Sequence, residues 1–372
     1  MDRISGQKPS LGLPVGTSVY LDAVRLLASL AVVLTHAKAL YFDRIPWIIS
    51  MHSREAVAAF FVLSGFVIAF VAQGKEHEWR KYSVARMSRI YSVVIISLLI
   101  TFIFDEVGSH LFRASYLKYQ FFHEPTVLSL LTYLTFTNKI WMTHFVFGSA
   151  EPYWSLGYEI PYYILFGIIS FCPKKWKVLV VAIWAAIFGP KIIAYALLWG
   201  LGVLTFNLRP IVRKFITPWI ATLIFILALA SYWLAVLYMS HIAAVSIYKL
   251  GDIRQEIKSF LYFMLIGVVI AVSILSIDAA VANIQKFPAF IVGSIRWLAG
   301  GSFTLYVLHL PLMAFLVAAF PQAGHSRVTG AAILVAVLVA CYAAAELGER
   351  RKRFFARIFG QLFLHSKGAK VG

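Results

Sequence analysis

The sequence predicts an all-α integral membrane protein, a polytopic bundle of about ten transmembrane helices with both ends on the cytoplasmic side. Three observations predict it. Of 372 residues, 61% are hydrophobic and only 13% are charged, with a mean hydropathy of +0.81. A soluble domain carries roughly twice that charged fraction. Apolar runs of about 20 residues recur along the whole chain, each long enough to cross a hydrocarbon core about 30 Å thick. The polar gaps between them are short, which leaves no room for a sizeable soluble domain.

In chain order the runs place spans at about 18–40, 55–73, 90–106, 153–171, 176–189, 192–206, 216–239, 259–278, 299–320 and 327–347. The fifth and sixth are short and meet at Gly189-Pro190. The apolar stretch 126–143 is broken by threonines, Asn138 and Lys139. It reads as a re-entrant or interfacial piece, which membranes tolerate where protein covers the backbone.

Ten spans put both termini on one side. With the N-terminus inside, the inside segments hold 22 of the 34 Lys and Arg, and the outside loops hold 10. That asymmetry follows the positive-inside rule, and the reverse orientation would put Arg350-Arg351-Lys352-Arg353 outside. Residues 1–347 form one transmembrane domain. Residues 348–372 form a basic tail that mixes Arg and Lys with Phe and Leu, as an amphipathic helix on the inner leaflet does.

The net charge of +18 sits in loops and tail. It forms no aromatic-interleaved basic surface of the kind that reads nucleic acid, so the partner it implies is the anionic lipid bilayer. Cys172 and Cys341 lie at or inside apolar segments and suggest neither a disulfide framework nor a metal site. Residues 1–16 are polar, so a cleavable signal peptide is not expected. Inverted repeats of the transporter kind are not visible either.

Ionisable groups within spans are costly and mark functional candidates. The first span holds Asp22, Arg25 and, after an apolar stretch, His36. Arg25 and His36 are eleven residues apart, so they lie within roughly 20° of each other on one helix face and about 16 Å apart along it. Two readings stand. Asp22 and Arg25 form an interfacial ion pair while His36 meets the outer headgroups, or the stripe is a polar track with His36 as a general base.

Arg86 and Arg89 open the third span at i, i+3, where two guanidinium groups either clamp a phosphate or anchor the helix to the inner leaflet. In Trp154-Ser155-Leu156-Gly157-Tyr158-Glu159, the aromatics suit a headgroup belt. Glu159 does not, and a buried carboxylate there needs a cation such as Arg25 or protonated His36. His309 beside Pro311 is as readily structural as chemical, and Glu346 lies within reach of the basic tail.

Together these residues resemble acyltransferase family 3, the bacterial membrane O-acyltransferases that modify carbohydrates. Arg25 and His36 match its Arg-x10-His arrangement, Phe60 to Phe66 its second-span signature, and Arg86/Arg89 its cytoplasmic Arg-x-x-Arg. Trp154 to Tyr163 and Leu305 to Pro311 are similar to its Trp-Ser-Leu-x-x-Glu-x-x-Phe-Tyr and Leu-Tyr-x-x-His-x-Pro elements. Ile160 replaces the second acid that often follows the Glu, and Glu346-Leu347-Gly348 lacks the closing proline. Gly-Tyr-Glu is closer to members acting on exopolysaccharides.

The resemblance implies an O-acetyltransferase that moves acetyl from cytoplasmic acetyl-CoA to a carbohydrate acceptor, in the bacterial inner membrane and without a metal. It implies His36, Arg25, Glu159 and Asp22 as catalytic residues, and Arg86, Arg89 and Arg25 as the cofactor's ligands. The competing class is a carbohydrate exporter or proton-coupled transporter, which also needs intramembrane Arg, His and Glu.

Overall fold

The computed structural model describes residues 12–364, except 44, 47–51, 75, 117–121, 142, 244–252, 283 and 285–286. The first eleven residues and the last eight of the expected tail lie outside the described residues. Within them the chain is nearly all helix, with no named strand and one isolated bridge between His123 and Gly148.

All ten expected spans are helices: α1 (Val15–Leu40), α2 (Ser53–Gln73), α3 (Trp79–Leu111), α5 (Leu156–Phe171), α6 (Lys174–Phe188), α7 (Pro190–Phe215), α8 (Pro218–Ala243), α9 (Ile253–Ala280), α11 (Ser302–Ala319) and α12 (Arg327–Leu347). Between them lie the shorter α4 (Val127–Leu134) and α10 (Ala289–Ala299), and α13 (Lys352–Leu364) follows. Eight helices are long and apolar enough to cross a membrane. At about 1.5 Å per residue, α5 and α6 cover only about 24 and 22 Å. The 3₁₀ turn Glu151–Ser155 leads directly into α5 and lengthens it.

Two boundaries differ from the sequence reading. The third span is expected at 90–106 with Arg86 and Arg89 at its opening, yet α3 runs further both ways, over 33 residues from Trp79 to Leu111. Charge marks where a helix leaves lipid, but it does not end the helix, because Arg is a good helix former. Residues 279–297 were expected as a loop, yet α10 forms there, started after Pro288 and stopped at Gly300-Gly301. Its eleven residues are too few to cross.

In the expected re-entrant stretch, α4 starts with a reciprocal Thr126–Ser129 cap. It leaves Val127, Leu128 and Leu131 exposed while Ser129, Thr132 and Tyr133 are buried. That inverted pattern suits a helix lying against hydrocarbon.

Helices α2 and α11 are the most enclosed. A Cβ at Gly65 would stand 2.1 Å from the Trp199 carbonyl oxygen, and one at Gly202 would stand 2.0 Å from that of Val62. The α2 and α7 backbones therefore touch, as small residues permit in membranes. This brings Ser64 against Trp199. Gly189, at φ +84°, turns α6 into α7 in a conformation that suits glycine, and Pro190 starts the new helix.

A buried ion cluster ties α1, α7 and α9 together. Asp278 accepts from Thr17 Oγ1 at 2.8 Å and from Arg213 at 2.6 and 2.7 Å, and pairs with Arg209 at 3.0 Å. After α12 the chain folds back onto the bundle. Glu349 accepts from the Thr304 N–H and hydroxyl at 2.9 and 3.0 Å, and Phe359 of α13 meets Tyr91.

Candidate active site

At the end of the bundle where α1 and α3 begin, a cavity of about 250 Å³ opens between α1, α2, α3, α5 and α11. Five of the six candidate residues line it: Asp22, Arg25, Arg86, Arg89 and Glu159. Three helices supply them: Asp22 and Arg25 come from α1, Arg86 and Arg89 from α3, and Glu159 from α5.

Arg25 pairs with Asp22 at 2.9 Å and donates to the Ala299 carbonyl at 3.0 Å. That carbonyl ends α10, so the cation sits at the negative pole of a helix. Its Nε finds no partner.

Arg86 and Arg89, expected as two halves of one clamp, differ. Glu76 holds Arg86 through both carboxylate oxygens, at 2.6 and 2.8 Å, and the rings of Tyr82 and Tyr163 flank it. Among the described residues Arg89 makes no hydrogen bond or ion pair. It is the one guanidinium in the cavity left to bind an anion.

Glu159 does not meet Arg25 or His36 as expected. Its Oε1 accepts from the Ser64 hydroxyl at 2.7 Å and from the Tyr163 hydroxyl, while Trp199 Nε1 donates to Ser64 at 3.1 Å. Neutral donors can satisfy a carboxylate in place of a cation when they converge on it. This explains the serine of the second-span signature: it links Trp199 to Glu159.

His36 does not line the cavity, so the expected conduit shared with Arg25 is interrupted. The Tyr306 hydroxyl donates to Ser155 Oγ at 2.9 Å, and both line the cavity. One turn further along α11, His309 meets His36: Nε2 of His309 lies 2.9 Å from Nδ1 of His36, with the rings stacked. His309 Nδ1 in turn lies 2.9 Å from the Leu305 carbonyl oxygen. With both rings neutral, this chain has one sense. A carbonyl cannot donate, so His309 Nδ1 carries a proton and its Nε2 accepts one from His36 Nδ1. His36 is thereby held in the tautomer whose Nε2 bears the lone pair, the form a general base needs.

Sequence reasoning missed Glu76, Ser64 and Trp199, and left the role of His309 open. Glu76 had a signal, as one of two acids, with Glu78, in the charged turn before α3. Ser64 stands in the second-span signature, but neither its bond to Glu159 nor that from Trp199 was legible, because the bonded residues lie 95 and 135 positions apart. Glu346 pairs with Arg350, which also covers the Trp297 ring. Among the described residues no group of His, Cys, Asp and Glu could hold a metal ion.

The family model described as an acyltransferase domain matches residues 18–346, a stretch that contains all six candidate residues. No curated protein and no solved structure matches the chain. The match covers nearly the whole sequence, and this multi-pass membrane protein belongs to acyltransferase family 3, a family of acyltransferases.

Proposed function

We propose that the protein moves an acyl group, most often acetyl, from cytoplasmic acyl-CoA to a hydroxyl of a cell-surface or lipid-linked carbohydrate, in the bacterial cytoplasmic membrane. The observation that carries this reading is Arg89, which makes no hydrogen bond or ion pair among the described residues, in a cavity at the end of the bundle that the Lys/Arg count assigns to the cytoplasm. A guanidinium that feels Glu159, Glu349 and Glu76 only through their field, with no hydrogen bond or ion pair among the described residues, suits an anionic ligand. Coenzyme A brings phosphates to that end of the bundle. The cavity, at about 250 Å³, is smaller than the roughly 300–1,000 Å³ of whole-ligand pockets. It suits the narrow pantetheine arm, with the nucleotide left at the mouth.

The residues then divide the work. Arg89, with Arg25 beside it, holds the anionic donor, and Asp22 holds Arg25. Arg86, fixed by Glu76, supplies field without losing its own partner. The thioester reaches outward past Tyr306 and Ser155, toward the turn of α11 that carries His309. There the acceptor hydroxyl gives its proton to His36 Nε2 as its oxygen attacks the thioester carbonyl carbon. The C–S bond breaks, and the departing sulfur takes the proton back from His36, leaving the ester and free CoA thiol. Glu159, held by Ser64 and Tyr163, stabilises the positive wall of the cavity. A single base that takes and returns one proton is sufficient.

The test is transfer of radiolabel from acetyl-CoA to a cell glycan extract by purified protein in nanodiscs. Label in glycan is expected, and His36→Ala should lower the rate about 10²–10⁴-fold with unchanged membrane levels. Wild-type rates in that variant remove His36 from the mechanism. Movement of unmodified glycan with no need for acyl-CoA points to the transporter class instead.

A further inference from the structure

A second polar pocket lies at the opposite end of the bundle from the Arg89 cavity. Lys191 starts α7 and Glu256 lies in the first turn of α9, while the far ends of these two helices carry Arg209, Arg213 and Asp278. Asp278 bonds Thr17 at the start of α1, the end where the cavity opens. The pocket is lined by Lys139, His144, Glu151, Trp154, Tyr158, Lys191, Tyr195, Glu256 and Ser259, and Phe61 is shared between its wall and that of the cavity.

Two buried groups in it make no side-chain hydrogen bond or ion pair among the described residues. Glu151 is 6% exposed, and among the described residues no hydrogen bond or ion pair reaches its carboxylate. Ser259 is 2% exposed and its Oγ is unsatisfied. Buried polar groups are normally paired, so two that face one pocket mark a place where hydroxyl groups bind.

The charges balance. Lys191 pairs with Glu256 at 2.9 Å, Lys139 contacts His144, and Glu151 lies in the field of Lys139. Two lysines face two carboxylates in the lining, so the pocket has no net positive charge to favour an acidic ligand. Trp154, Tyr158 and Tyr195 stand edge to face beside these groups, offering ring surface to an apolar C–H face. At about 50 Å³ the pocket admits one or two hydroxyl-sized groups, since a water occupies about 30 Å³. The rest of a sugar ring would lie outside it, toward exposed His144.

We propose that this pocket is a saccharide subsite, taking the hydroxylated edge of an uncharged sugar residue of the acceptor, away from the reacting hydroxyl. It rests on the carbohydrate reading above and adds to it where the acceptor docks and that its bound residue is neutral. Binding a remote part of a polymer is a standard way to position the part that reacts.

The test uses full-length protein in nanodiscs, saturation-transfer NMR, and the methyl glycosides of glucose, galactose, mannose and N-acetylglucosamine, with methyl glucuronide as the acidic control. At least one neutral glycoside should bind better than the glucuronide. Glu151→Gln should weaken it about tenfold, as loss of a charged hydrogen-bond acceptor does, with acetyl-CoA still raising the melting temperature. If that variant fails to accumulate, Ser259→Ala reads the same contact and should weaken binding several-fold. Binding of the glucuronide alone, binding of no glycoside, or unaltered binding in both variants overturns the subsite. Glycoside binding lost in Glu151→Gln, with no acyl transfer by the wild type, would keep the subsite and sink the acyltransfer reading. Transfer with an unchanged acceptor KM in Glu151→Gln does the reverse.

Discussion

Two clusters of charge lie inside the same end of this bundle, and they are built on opposite principles. Around Asp278, one carboxylate is saturated by Thr17, Arg209 and Arg213, and Arg209 packs over the Phe66 and Phe206 rings. None of these ionic groups lines the cavity. Around Arg25 and Arg89, one cation is paired with Asp22 while the other makes no hydrogen bond or ion pair among the described residues, and the groups line open space. Charge within a membrane protein is therefore not itself a mark of function. The saturated cluster fastens three helices, and the other, on the function proposed above, receives the anionic donor.

The largest effect expected from breaking this contrast is on stability. Asp278→Ala leaves Arg209 buried and unpaired and Arg213 without its anion, and should cost about 3–5 kcal/mol. The measurement is thermal unfolding in detergent, read beside specific activity per folded molecule. A large fall in melting temperature with specific activity retained fits a fastening role. A stable protein that has lost activity would move Asp278 into the working site and dissolve the comparison.

Arg89 should behave the other way. With no partner to orphan, Arg89→Ala should leave the melting temperature within a degree or two. It should raise the KM for acetyl-CoA by about 10–100-fold, the range for a lost charge-assisted bond to phosphate. Arg89→Lys should recover part of that, since an ammonium keeps the charge and loses the fork. Unchanged KM in both variants would mean that the donor binds elsewhere.

The same contrast explains what could be read beforehand. The spans were legible because each is an apolar run of helix length, and the Asp22–Arg25 pair was legible because i, i+3 neighbours meet on any helix. Arg86 and Arg89 were legible as the opening of α3, whereas the turns before them, from Trp79 to Ala85, were not, because they carry no apolar run. Asp278 was passed over at the end of a span, since its three partners lie on other helices and only tertiary packing joins them. Glu349 looked like part of a free tail, yet it reaches Thr304, and nothing near it in sequence announces that bond. His36 was picked out by its spacing from Arg25, whereas what holds its ring is His309, 273 positions away.

A smaller effect separates support from chemistry at Ser64. Its hydroxyl lines the cavity beside a carboxylate, the setting in which a serine nucleophile would be sought. The bonds argue for a structural link: Ser64 donates to Glu159 and accepts from Trp199, and Tyr163 holds Glu159 independently. Ser64→Ala should therefore cost about 1–2 kcal/mol of stability and slow transfer less than about tenfold, a loss of roughly 1.4 kcal/mol in the barrier. A covalent acyl-serine would instead vanish with the hydroxyl, taking all transfer with it. Rapid quenching with labelled acetyl-CoA, before acceptor is added, distinguishes the two. Label retained on wild-type protein and lost in Ser64→Ala would make Ser64 a nucleophile, and no retained label in either leaves it as the strut between Trp199 and Glu159.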